Sequence, residues 1–171
     1  MRRTPLLCAA IPVLALGVVS IVSFPKKLIY NASASAPIGF YWLDERPVKR
    51  GDYVLTRVPE SARDLIEKRD YLPPDVPLIK HIAGVSGDEI CREKGAILIN
   101  GKAVAVAQTH DGLGRPLPIW QGCWVLSGDE VFLLQDHPRS FDGRYFGPID
   151  RQLIIGRATR LRLPWRMREP N

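Results

Sequence analysis

Arg2 and Arg3 are followed by an uncharged, mostly apolar stretch from Thr4 to Pro25, which ends at Lys26 and Lys27. About 20 apolar residues suffice to cross a bilayer as a helix, so this stretch is long enough to span one. Two readings fit: a transmembrane anchor, or a secretory signal segment cut near the Ala-Ser-Ala sequence at 32–36. The length of the stretch and the two lysines ahead of the cut favour the anchor. Basic residues flank both ends, so the positive-inside rule alone does not set its orientation. The chain is thus expected to divide into an N-terminal membrane anchor or signal segment, residues 1–27, and one folded domain, residues 28–171.

Hydrophobic residues make up 46% of the chain and charged residues 25%, which predicts a packed core. Fifteen prolines and fourteen glycines point to many turns and a mainly β fold. Strands are predicted over 52–58, 78–85, 122–126, 130–134 and 152–163, from alternation or short buried apolar runs. Asn100-Gly101 between apolar runs predicts a hairpin over 96–106. Pro59 opens one short helix, 60–70, with Ala62, Leu65 and Ile66 on one face. Residues 28–36 read as an extended approach, and 136–150 as a polar loop. The expected fold is an antiparallel β domain of barrel-like or folded-sheet type with one short helix.

The net charge of +6 admits a nucleic acid or a membrane surface as partner. No basic run interleaved with aromatics and no zinc-finger spacing occurs, so nucleic-acid binding is not expected. His81, His110 and His137 lack metal-ligand spacing, and no metal site is expected. Cys8 falls in the apolar stretch. Cys91 and Cys123 could join in an oxidising compartment or remain separate thiols.

Two ways of activating a hydroxyl compete. A histidine triad needs an imidazole held by a carboxylate, and no serine here stands in a Gly-x-Ser-x-Gly elbow. A serine–lysine pair needs an amine that burial has made neutral near pH 7. Lys80 is the only lysine inside an apolar strand, Leu78-Ile79-Lys80-His81-Ile82-Ala83. It reads either as such a base or as an edge-strand lysine that blocks aggregation. Alternation along a strand points His81 the opposite way. Ser35 precedes Ala36-Pro37-Ile38-Gly39, small residues and a turn that leave a hydroxyl and backbone N–H groups free. Taken alone it also reads as a linker serine, and Ser33 is a rival nucleophile.

Three blocks together resemble type I signal peptidases of the serine–lysine class, and more closely the TraF branch that processes pilin in conjugative transfer. Ser35-Ala36-Pro37-Ile38-Gly39-Phe40-Tyr41 is similar to that branch's Ser-x-Pro-x-Gly-x-Tyr. It departs from the broader family's Ser-Met-x-Pro-Thr. Lys80-His81-Ile82-Ala83-Gly84-Val85-Ser86-Gly87-Asp88 resembles Lys-Arg-x-x-Gly-x-Pro-Gly-Asp, with His81 and Ser86 as departures. Ser140-Phe141-Asp142-Gly143-Arg144-Tyr145-Phe146-Gly147 resembles Ser-x-Asp-Ser-Arg-x-x-Gly, with Gly143 replacing the second Ser.

The resemblance implies Ser35 as nucleophile, Lys80 as general base, and Asp142 paired with Arg144 to hold the wall of the site. Asp142 would either form a structural salt bridge or help to orient Lys80, the former being favoured. The resemblance also implies a signal-peptidase-like antiparallel β fold, no cofactor, and a preference for small residues at the cleavage site. The implied partners are an exported propilin or other preprotein and, at the N-terminal segment, membrane lipid. The implied location is a bacterial inner membrane facing the periplasm, or the periplasm itself if the segment is removed. The short spacing from Pro25 to Ser35 would hold the site within roughly 35 Å of the bilayer, at about 3.3–3.6 Å per residue. Two alternatives remain at this point: a non-enzymatic membrane-anchored β module of a conjugation or secretion channel, and a general type I signal peptidase.

Overall fold

The computed structural model describes residues 27–162 except Pro74. The expected anchor or signal segment lies outside the described residues, among which no helix is long and apolar enough to cross a membrane. Among the described residues, eleven strands form two antiparallel sheets. In chain order they are β1 (Leu28–Asn31), β2 (Gly39–Asp44), β3 (Tyr53–Thr56), β4 (Leu78–Gly84), β5 (Glu89–Glu93), β6 (Ala96–Ile99), β7 (Lys102–Val106), β8 (Gly122–Val125), β9 (Glu130–Leu134), β10 (Ile149–Asp150) and β11 (Ile154–Arg160). A seven-stranded sheet runs in the order β1-β2-β11-β3-β4-β9-β10, and a four-stranded sheet runs β7-β6-β5-β8. The mainly β, antiparallel expectation therefore holds.

Helix α1 (Glu60–Lys68) follows Pro59, whose fixed φ suits a helix start, and buries Ala62 and Ile66. The hairpin at Asn100-Gly101 forms with both residues at positive φ, 51° and 74°, as a type I′ turn requires. The predicted strands at 122–126 and 130–134 exist but do not pair. β8 joins β5 in the small sheet, while β9 lies between β4 and β10 in the large one. Residues 136–150 are not simply a loop: they carry a short helix, α2 (Gly143–Phe146), and β10. Strands β2 and β5 were not expected. β2 begins at Gly39, inside a stretch whose Pro and Gly read as turn. β5 has charged ends and a buried arginine, so it lacks the alternation of a half-buried strand.

The sheets meet through Ile90, Ile97 and Ile99 of the small sheet, which pack with Phe132 and Leu134 of β9. Gly84 sits at this junction, where an added Cβ would approach Ile90, Phe132 and Leu126 to 2.9–3.1 Å. Asp88 secures the crossover. Its carboxylate accepts hydrogen bonds from the backbone N–H of Val85, from Arg50 and from the Asn100 side chain. Gly87-Asp88 of the second block is thus an architectural feature, with Gly87 at φ 87°.

Candidate active site

The turn between β1 and β2 carries Ser35 and is held in shape by Asn31 of β1 together with residues of the block. Asn31 Nδ2 donates to the carbonyls of Ser33 (2.9 Å) and Ala36 (3.0 Å), while its Oδ1 accepts the Ser33 N–H. The Tyr41 hydroxyl donates to the Pro37 carbonyl at 2.7 Å. Burial pushes the Tyr41 phenol up to about 12, which keeps it a donor. Gly39 adopts φ 142°, a conformation that favours glycine. Ser35 therefore sits on a braced turn rather than in a free linker. Its Oγ lies 2.9 Å from Ser33 Oγ, which also accepts the Ser35 N–H at 3.2 Å.

Lys80 is on β4, flanked by β3 and β9, so an edge-strand role does not apply to it. It is 2% exposed. Its ammonium loses hydration there, and desolvation lowers its pKa to about 8. The negative charge of Asp142 opposes that shift and the positive charge of Arg144 assists it. Nζ donates to Ser140 Oγ at 2.7 Å. Among the described residues no hydrogen bond joins Lys80 to Ser35. Both nevertheless line one cavity of about 470 Å³, together with Ser33 and Ser140. His81, as strand alternation demands, lines a different groove of about 810 Å³.

The third block closes the site from behind. Asp142, fully buried, caps α2: its carboxylate accepts the N–H of Arg144 (3.2 Å) and of Gln135 (3.0 Å). Burial pushes this carboxyl up, against the pull of Arg144, Lys80 and the N–H donors. Arg144, 2% exposed, places Nε 3.5 Å from Asp142 Oδ1. Its Nη1 donates to the carbonyls of His137 and Pro138, and its Nη2 to Gln135. The pair thus staples residues 135–138 to α2 and fixes where Ser140 stands. Gly143 explains its departure from the family block. A Cβ there would lie 2.6 Å from the Leu133 carbonyl oxygen and 2.7 Å from the Phe132 ring, so serine does not fit.

Ser140 is the residue that sequence reasoning passed over. Its place at the head of the third block was the available signal, but only the fold brings residues 80 and 140 together. Cys91 and Cys123 face each other across β5 and β8 and are joined by a disulfide.

The arrangement places a buried, depressed-pKa amine, a hydroxyl partner and a braced serine around one cavity, whose lining also includes His110. The chain is 34% identical over 136 residues to a plasmid transfer protein TraF of Escherichia coli, covering 73% of this chain and 77% of that one. It is 33% identical over 171 residues to a probable conjugal transfer protein TraF of Sinorhizobium fredii, covering 92% and 89%. A signal peptidase I structure from Enterococcus faecalis V583 aligns with 67% of this chain and 98% of that one, at a TM-score of 0.40 and 16% identity. Residues 2–163 match the family described as signal peptidase, peptidase S26. The chain belongs to the peptidase S26 signal peptidase family.

Proposed function

We propose that this protein is a serine endopeptidase that matures an exported preprotein, with Ser35 as nucleophile and Lys80 as general base. One observation carries the reading: Lys80 is buried, with its pKa lowered to about 8, in the cavity that Ser35 lines. A neutral amine has one lone pair and two N–H bonds. With one N–H directed at Ser140 Oγ, the lone pair is left available to take the Ser35 proton. Attack requires the Ser35 hydroxyl to leave Ser33 and turn to Lys80. Ser35 Oγ then forms a bond to the scissile carbonyl carbon, and the protonated Lys80 delivers its proton to the departing amine. Water, deprotonated by Lys80, then bonds to the acyl carbon, the bond to Ser35 Oγ breaks, and Lys80 returns the proton to Oγ.

As the carbonyl oxygen becomes negative it competes for the Ser35 N–H that Ser33 Oγ now occupies. Ser33 is therefore a neighbour of the reacting centre.

The similarity to plasmid and conjugal transfer proteins supports an exported propilin as substrate and an exported or membrane-associated location. An amine of the substrate's own N-terminus could replace water at the acyl-enzyme and close the pilin into a ring, with no further residue required.

The test uses the full-length chain with its candidate propilin. Ser35→Ala and Lys80→Ala are each expected to reduce processing by at least about 10³-fold while circular dichroism stays unchanged. Ser33→Ala is expected to keep cleaving. Full processing by folded Ser35→Ala, or loss of all processing in Ser33→Ala alone, would overturn the assignment. The mass of the product separates the two fates, since ring closure leaves it lighter by one water than the hydrolysed chain.

A further inference from the structure

Helix α2 spans only four residues, and a helix so short is marginal without tertiary contacts. Its placement nevertheless decides where the partners of Lys80 stand. Asp142 caps its start, and Ser140, 1% exposed, lies two residues earlier and accepts the hydrogen bond from Lys80 Nζ. Two side chains from outside the helix reach its first two carbonyls. The Gly143 carbonyl accepts its helical partner, the Gly147 N–H at 3.0 Å, and also Trp120 Nε1–H at 3.1 Å. The Arg144 carbonyl has no helical partner, because the residue four positions on is Pro148, which carries no N–H. Arg92 Nη1 supplies the missing donor at 2.7 Å.

Arg92 is an unusual means of satisfying a carbonyl. It belongs to β5 and is 4% exposed. A charge buried this deeply is ordinarily matched by an opposite one. Among the described residues Arg92 forms no ion pair: it donates to the carbonyls of Arg144 and Pro118 and lies 5.8 Å from the centre of the Trp120 ring. Packing of β5 alone does not call for a charge there, since an apolar side chain of similar volume would avoid its desolvation. Both donors are themselves held. Trp120 packs on Trp124 and, edge on, against Phe132. The Cys91–Cys123 disulfide joins β5 to β8 at the position next to Arg92.

We propose that Arg92 and Trp120 are positioning residues for the Lys80 base: by fixing the first two carbonyls of α2 they hold Asp142 and Ser140 against the Lys80 amine. This rests on the serine–lysine reading and deepens it. On this side Lys80 meets Asp142 and Arg144, and Tyr71, His110, Asp111, Arg139 and Tyr145 line the cavity it faces. Burial is the largest influence on Lys80. A shift of α2 admits water to the amine, and the ammonium regains hydration. The base form then appears only at higher pH.

The experiment records kcat and KM against pH for the full-length protein in detergent, on a peptide carrying the candidate propilin cleavage sequence. Wild type, Arg92→Met, Arg92→Lys and Trp120→Phe are compared, with Ser35→Ala as the blank. A misfolded fraction lowers the amplitude of the profile but leaves its midpoint in place, so the midpoint is the readout. Arg92→Met keeps the apolar stem and removes the donor. It is expected to raise the midpoint of kcat/KM by about half a pH unit or more and to lower kcat at pH 8 by about tenfold, with KM within about twofold. Trp120→Phe, which keeps a ring and loses the N–H, is expected to move the midpoint the same way. Arg92→Lys, which retains a donor for the Arg144 carbonyl, is expected to stay near wild type. An unchanged midpoint in Arg92→Met, or in Trp120→Phe where Arg92→Met does not fold, would overturn the positioning role while leaving the peptidase reading intact. A midpoint moved as far by Arg92→Lys as by Arg92→Met would do the same. Cleavage no faster in wild type than in Ser35→Ala would remove the peptidase reading and the positioning role with it.

Discussion

At the scale of single residues, the proposed mechanism depends on the charge of Lys80. Burial holds its pKa near 8, below the usual lysine value. The base form therefore accumulates as pH rises through about 8, and kcat/KM is expected to climb with a midpoint there and to fall away toward neutral and acid pH. A pH–rate profile checks this, and a midpoint left near 10 would contradict a desolvated base. The same desolvation acts on stability in a defined direction. Between about pH 8 and the ordinary lysine range the unfolded chain holds a proton that the folded chain has released, so stability gains with pH in that window. Gly143 is the second residue whose identity is forced. Gly143→Ser restores the family's more common residue yet drives a Cβ into Phe132 and the Leu133 carbonyl. It is expected to cost about 1–3 kcal/mol, read as a lowered urea midpoint. Sequence comparison alone suggests the opposite, because the neighbour that forbids serine lies ten positions away on β9 and is seen only after folding.

At the scale of elements, the turn that bears Ser140 is clamped from two sides. Asp142 and Arg144 staple it to residues 135–138. Arg92 Nη1 of the small sheet donates to the Arg144 carbonyl at 2.7 Å, and Trp120 Nε1, from the segment before β8, donates to that of Gly143 at 3.1 Å. Arg92 belongs to β5, which the Cys91–Cys123 disulfide ties to β8. The linked cysteines are 32 residues apart in the chain. Closing a loop of that size contributes about 2–4 kcal/mol by restricting the unfolded chain. The Cys91→Ala/Cys123→Ala double variant is expected to lose about that much in denaturant melts, and wild-type protein treated with a dithiol reductant to behave likewise. An unchanged denaturant midpoint in both the double variant and the reduced wild type would mean the pair adds nothing to the sheet. The hairpin at 96–106 and helix α1 were legible in the sequence because their signals are local: Asn-Gly for one, Pro and an apolar face for the other. β5 was not legible, because Arg92 is buried for the sake of carbonyls far away in sequence.

At the scale of the molecule, two antiparallel sheets share one apolar junction, and the cavity opens where the β1–β2 turn, β4, the 108–117 loop and the segment before α2 converge. The sequence by itself determined the kind of protein: an uncharged N-terminal stretch ahead of a strand-rich chain, and three blocks that resemble those of the signal peptidase family. These follow from residue type and short-range spacing, which a chain displays before it folds. Tertiary structure alone decided that Lys80 stands in an interior strand and is desolvated, and that Ser140 rather than Asp142 is its hydrogen-bond partner. It also decided that β8 and β9 part company between sheets, and that Tyr71 and Asp111 meet across the roof of the cavity. Burial and long-range pairing are properties of the assembled core, and no window of sequence contains them.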